Sequence, residues 1–105
     1  MSIDVSEQNF QEEVIESALP VIVDFGAKWC GPCRKLTPVL EEIETTFADK
    51  AKVVKVDADE NRELMKKYSV SGLPSILLFK DGQPVERMAG LVPKSTIISN
   101  VEKYL

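Results

Sequence analysis

Val21-Ile22-Val23-Asp24-Phe25-Gly26-Ala27-Lys28-Trp29-Cys30-Gly31-Pro32-Cys33 runs from an apolar strand, through a short turn, into the start of a helix, and it holds both cysteines of the chain. An apolar run such as Val21 to Phe25, broken by a single carboxylate, suits a strand at the centre of a sheet with both faces covered. From Cys33 onward the period changes. Leu36, Val39, Leu40, Ile43 and Phe47 recur at three- and four-residue spacings, which predicts a long amphipathic helix. Pro32 fits its first turn, and Pro38, inside it, is expected to kink it. Two thiols three positions apart at a helix start lie about 5 to 6 Å apart at Cβ, within reach of a bond that closes and reopens.

Working outward, Val5-Ser6 gives a short strand and a helix cap, and Glu7 to Ser17 a helix with Phe10, Val14, Ile15 and Ala18 on one face. Leu19-Pro20 breaks that helix before the central strand. After the long helix, Ala51 to Val56 is a Val-rich strand, and the acidic stretch Asp57-Ala58-Asp59-Glu60-Asn61 is read as the cap of a short helix through Tyr68, with Leu64, Met65 and Tyr68 inward. Ser69 to Pro74 is a loop. Ser75 to Lys80, the turn Asp81-Gly82 and Val85 to Met88 make a hairpin. Gly90 ends it, and Pro93-Lys94-Ser95 opens a last helix that buries Ile97, Ile98, Val101, Tyr104 and Leu105. The order βαβαβα then ββα requires parallel strands joined by crossover helices and one antiparallel hairpin. An α/β fold follows: a central mixed sheet of four or five strands flanked by four helices, as one domain over residues 1–105.

Bulk properties restrict the function. Hydrophobic residues are 44% and charged residues 29% of the 105, which fits a globular chain rather than a disordered or fibrous one. A net charge of -4 with no basic block argues against nucleic acid. No apolar run approaches the ~18 residues of a membrane span, so a soluble protein is expected. Met1 to Glu7 lacks a positive region followed by an apolar core, which predicts a cytoplasmic location. In a reducing compartment a permanent disulfide across so short a loop stabilises little, so the cysteine pair is better explained by chemistry.

The same Cys-x-x-Cys spacing makes half of a zinc ribbon, which would need two more soft ligands. The chain has no His and no third Cys, which favours redox work over metal. Cys30, just before the helix, faces the free N–H groups and positive end of the dipole, which favour thiolate. Cys33, one turn in, is expected to be more buried and to keep its proton longer. That makes Cys30 the nucleophile and Cys33 the resolver. Gly31 and Pro32 set how stiffly the sulfurs are held. Lys28 adds positive charge nearby, although an exposed lysine is usually only solvated. Asp24, desolvated in a central strand, should have a raised pKa and exchange protons near neutrality; Lys55, in the neighbouring strand, can satisfy the same carboxylate, and the two readings are compatible.

Trp29-Cys30-Gly31-Pro32-Cys33, preceded by Val23-Asp24-Phe25 and followed by Gly72-Leu73-Pro74 and Gly90, resembles the thioredoxin family over nearly the whole chain. The resemblance implies a thioredoxin fold and a protein dithiol-disulfide oxidoreductase that reduces target proteins. It implies Asp24 as proton shuttle to Cys33, with Lys55 as its partner, and Pro74 as a cis-proline whose neighbour Leu73 pairs by its backbone with substrate. Trp29, Gly31, Pro32, Gly90 and Leu91 would form an apolar docking rim. No cofactor or metal is bound in this reading. Reducing equivalents come from NADPH through a thioredoxin reductase, the partners are that reductase and disulfide-containing proteins, and the chain is a monomer. Gly26 departs from the family, where many relatives carry an aromatic; Leu73 and Ser75 depart more mildly. An oxidant or isomerase is disfavoured by Gly-Pro between the cysteines. A binding module with incidental thiols is the reading from another class.

Overall fold

In a computed structural model, which describes residues 3–105, strand β2 (Val21–Gly26) is paired along both edges. Strand β3 (Lys52–Asp57) lies parallel on one side and β4 (Ser75–Lys80) antiparallel on the other. Strand β1 (Ile3–Val5) adds parallel to β3, and β5 (Gln83–Ala89) adds antiparallel to β4, so the order is β1-β3-β2-β4-β5. Met1 and Ser2, part of the stretch read above for a leader, lie outside the described residues.

Alternation along β2 divides the core. Val21, Val23 and Phe25 point to one face with Val54, Val56, Leu77 and Phe79, covered by the π-helix Gln11–Ile15 and by α2 (Arg62–Lys67). Ile22 points to the other face with Val53, Ile76 and Leu78, covered by α1 (Gly31–Thr46) and α3 (Lys94–Glu102). Asp24 and Gly26 share that second side by the same period, which sets them under the N-terminal end of α1. The Asp81-Gly82 turn has φ of 52° and 79°, the left-handed pair that a two-residue hairpin requires. Pro84, which cannot donate, stands on the edge strand where the pairing shifts register opposite Phe79.

On the first face the rings of Phe10, Tyr68 and Phe79 meet with centroids 5.2 to 5.6 Å apart. Phe79 is 1% exposed and joins the sheet to both helices of that face. Phe79→Ala is expected to cost about 3–5 kcal/mol, read as a lower denaturant midpoint with the oxidised protein; a loss under 1 kcal/mol would contradict the central place given to this ring.

Three local expectations need correction. The first helix is shorter than Glu7 to Ser17: the chain turns at Ser6 to Asn9, where the Asn9 side chain accepts the Ser6 N–H at 2.7 Å, and the helix unwinds at Glu16. Ala18 is therefore exposed rather than on its buried face. Asn61, the last residue of the acidic stretch, takes the N-cap position of α2, but its side chain makes no cap hydrogen bond. Glu7, far away in sequence, accepts the N–H groups of Glu63 at 2.9 Å and Leu64 at 3.4 Å, while Asn61 Oδ1 accepts the Glu7 N–H at 3.0 Å. Leu105 is 56% exposed, because α3 stops at Glu102 and the chain leaves the core.

Candidate active site

Helix α1 begins where β2 ends because Gly26-Ala27-Lys28 reverses the chain and Cys30 takes the N-cap position. The Cys30 Sγ accepts the backbone N–H of Cys33 at 3.2 Å, so a sulfur does what a Ser or Asp oxygen does at other helix starts. Pro32 sits in the first turn, where no N–H is missed. The two cysteines are joined as a disulfide with Cα atoms 5.3 Å apart. Cys33 is not more buried than Cys30: they are 6% and 5% exposed. What separates them is their surroundings, since Cys30 holds the cap and Cys33 borders a cavity shared with Asp24.

Ala27, Cys30 and Cys33 form a small cluster on which Leu73 packs. The Leu73-Pro74 peptide is cis, and the Pro74 carbonyl accepts the Gly90 N–H at 2.8 Å, which ties the loop before β4 to the end of β5. Gly90 has φ of 79°, a left-handed turn that leads Leu91 out to solvent at 50% exposure. Gly31 is half-buried and Pro32 exposed. Trp29 is 68% exposed, yet its indole N–H donates to Asp59 at 2.8 Å. Sequence reasoning missed Asp59, having taken the whole acidic stretch for a cap. Lys28 is exposed, and its carbonyl accepts from Arg34 at 3.1 Å.

Asp24 is 5% exposed, and its Oδ1 has no hydrogen-bond partner among the described residues. Burial pushes this carboxyl up to about 6 from the ordinary 3.8, while the positive charge of Lys55 works the other way. Lys55 stands opposite Asp24 in the β2–β3 register, but no ion pair joins them. The Lys55 Nζ donates instead to Thr37 Oγ1 at 3.4 Å, and Thr37 donates to the Cys33 carbonyl at 3.3 Å. Pairing does not satisfy Asp24, so the Lys55 alternative holds only as a Coulombic effect. Among the described residues, no group of three or more His, Cys, Asp or Glu is placed to hold a metal ion.

A central strand ending in a CxxC helix start, with a cis-proline beside the disulfide, can be compared with known proteins. The family model described as thioredoxin matches residues 1–103. The chain belongs to the thioredoxin family. It is 46% identical over 101 residues to thioredoxin 1 of Synechococcus elongatus, covering 96% of this chain and 94% of that one. With the thioredoxin of Synechocystis sp. it shares 48% over 101 residues, at the same coverage of 96% and 94%. The chloroplastic M-type thioredoxin of Chlamydomonas reinhardtii is 46% identical over 101 residues, 96% of this chain and 72% of that one. With a Cys30–Cys33 disulfide in a thioredoxin fold, this protein is a dithiol-disulfide oxidoreductase acting on proteins. Thioredoxins work without a bound cofactor, and family membership implies disulfide-bearing targets and a reductase in general. No helix among the described residues is long and apolar enough to cross a membrane.

Proposed function

We propose that Cys30 is the attacking thiolate and Cys33 the resolving thiol, with Asp24 as the group that takes the Cys33 proton. The observation that carries this assignment is the N–H of Cys33 directed at Cys30 Sγ at 3.2 Å, at the positive end of α1. In the reduced protein the Cys30 thiolate attacks a target disulfide, one target sulfur leaves, and a mixed disulfide forms. Cys33 then gives its proton to Asp24 and displaces the second target sulfur, closing the Cys30–Cys33 bond. A carboxyl held up to about 6 by burial accepts that proton without remaining charged at a desolvated position.

Substrate docks, in this reading, as an extended segment against the backbone of Leu73, beside Pro74, with Trp29, Gly31, Pro32, Gly90 and Leu91 as the apolar rim. The exposure of Trp29 and Leu91 supports it, since large apolar side chains left in water mark contact surfaces. Lys55 acts on Asp24 through charge alone. Reducing equivalents come from NADPH through a thioredoxin reductase, and the protein works as a cytoplasmic monomer of one thioredoxin domain over residues 1–105.

Insulin reduction driven by NADPH and a thioredoxin reductase tests this. Catalysed NADPH consumption proportional to protein concentration is expected. Its absence with a reductase active toward its own thioredoxin, but with turnover when dithiothreitol replaces NADPH and reductase, would exclude the NADPH route and leave the exchange chemistry standing.

A further inference from the structure

Gly26 leaves a cavity of about 380 Å³ against the disulfide, within the range of small-molecule sites, about 300–1,000 Å³. Cys33 borders it and Cys30 does not. A Cβ at Gly26 would stand 3.4 Å from both Cys33 Cβ and Cys33 Sγ, and 3.9 Å from Asp24 Oδ1. Whatever occupies position 26 therefore governs how near a solute comes to Cys33 from this side. A second observation points into the same space. Asp24, also on its wall, is 5% exposed and has an oxygen with no hydrogen-bond donor among the described residues, a state that is costly unless a donor is supplied.

We propose that this cavity is a second entrance to the disulfide, used by a low-molecular-weight thiol without net charge, which attacks Cys33 Sγ. The neutral S–H donates to the waiting Asp24 oxygen and passes its proton there as the sulfur attacks. A new bond joins that sulfur to Cys33, the Cys30–Cys33 bond breaks, and Cys30 leaves as a thiolate held by the Cys33 N–H. The entering sulfur is oxidised and Cys30 is reduced. A second molecule of the thiol, as its thiolate, attacks the sulfur of the first; a small disulfide departs, and Cys33 recovers the proton from Asp24. The choice of an uncharged thiol follows from the lining, where Lys28, Arg34 and Lys55 face Asp4, Asp24 and Asp57 and neither sign prevails.

This rests on the redox activity of the pair, not on the roles proposed above for Cys30 and Cys33 toward proteins. The reverse step tests it. In Cys30→Ser the lone Cys33 thiol is exposed to hydroxyethyl disulfide, and adduct formation is followed by intact mass. Adding Gly26→Leu should slow the adduct about tenfold or more, and Gly26→Ala should slow it less, while neither change slows the adduct of Cys30 in Cys33→Ser comparably. Equal slowing at both cysteines, or no slowing at Cys33, overturns the proposal. If Gly26→Leu fails to fold, Gly26→Ala decides, because its added carbon meets Cys33 at 3.4 Å, near ordinary contact. Failure of insulin reduction alongside a retained Gly26 effect would revise the protein-directed reading and leave this entrance intact.

Discussion

Cys30→Ser and Cys33→Ser should each abolish catalysed insulin reduction, by at least about 10³-fold, but only Cys33→Ser should retain the target. The two sulfurs are equally buried, at 5% and 6% exposure, so accessibility does not separate them. The N-cap does. Negative charge on Cys30 is met by the Cys33 N–H at 3.2 Å and by the helix dipole, whereas Cys33 lies beside a carboxyl whose ionised form would oppose a second negative charge. On the proposed assignment Cys30 is the thiolate and attacks first. With Cys33 replaced, the mixed disulfide has no resolver and accumulates, visible as a target adduct on a non-reducing gel and lost on adding dithiothreitol. With Cys30 replaced, no such adduct should build up with protein targets. An adduct in Cys30→Ser but none in Cys33→Ser would reverse the assignment of nucleophile and resolver.

Most of the framework is legible because it is written in local periods. The apolar run Val21 to Phe25, the Leu36-Leu40-Ile43 stripe and the Asp81-Gly82 turn each specify a type of element without reference to anything distant, and all stand where expected. The residues that escaped reading depend on partners remote in sequence. Glu7 looks like the first turn of its own helix, and nothing near it shows that its carboxylate closes α2. Asp59 looks like one acid in an acidic cap, and its bond to Trp29 exists only once the turn after β3 is brought beside the start of α1.

The site divides along the same line. The motif names the two cysteines, and burial of Asp24 follows from its place in an apolar strand. That Lys55 bonds to Thr37 rather than to Asp24 is decided by side-chain reach across the sheet, which pattern does not record. The expected difference in burial between Cys30 and Cys33 failed for a related reason. A helix start exposes its first residue only if nothing covers it, and here Ala27 and Leu73 pack over the pair together. Gly26 was visible as a departure from relatives, but its consequence, open space beside Cys33, is a property of the fold.

Replacing Asp24 by Asn should make the protein relatively more stable as pH rises, by about 3 kcal/mol between acid and neutral pH. The carboxyl has a folded-state value of about 6 against 3.8 in an exposed setting, because burial disfavours its charge more than Lys55 relieves it. Below pH 3.8 both folded and unfolded chains hold the proton, and Asp24 contributes no pH dependence. Between 3.8 and about 6 the unfolded chain releases its proton while the native chain keeps it, so native stability falls with rising pH. Above about 6 the native carboxyl is ionised where burial desolvates it and the full cost is present; a shift of about two units corresponds to about 3 kcal/mol. Asn carries no proton to lose, so the difference in unfolding free energy, Asp24→Asn minus wild type, should climb across this window and level off above it. Taking the difference removes the titration of the other carboxylates, which both proteins share. Denaturant unfolding of the two oxidised proteins at pH 4, 5, 6, 7 and 8 measures the curve. A flat difference would mean that Asp24 is solvated in the native protein, which would remove it both as the acceptor of the Cys33 proton and as the unmet group at the wall of the cavity.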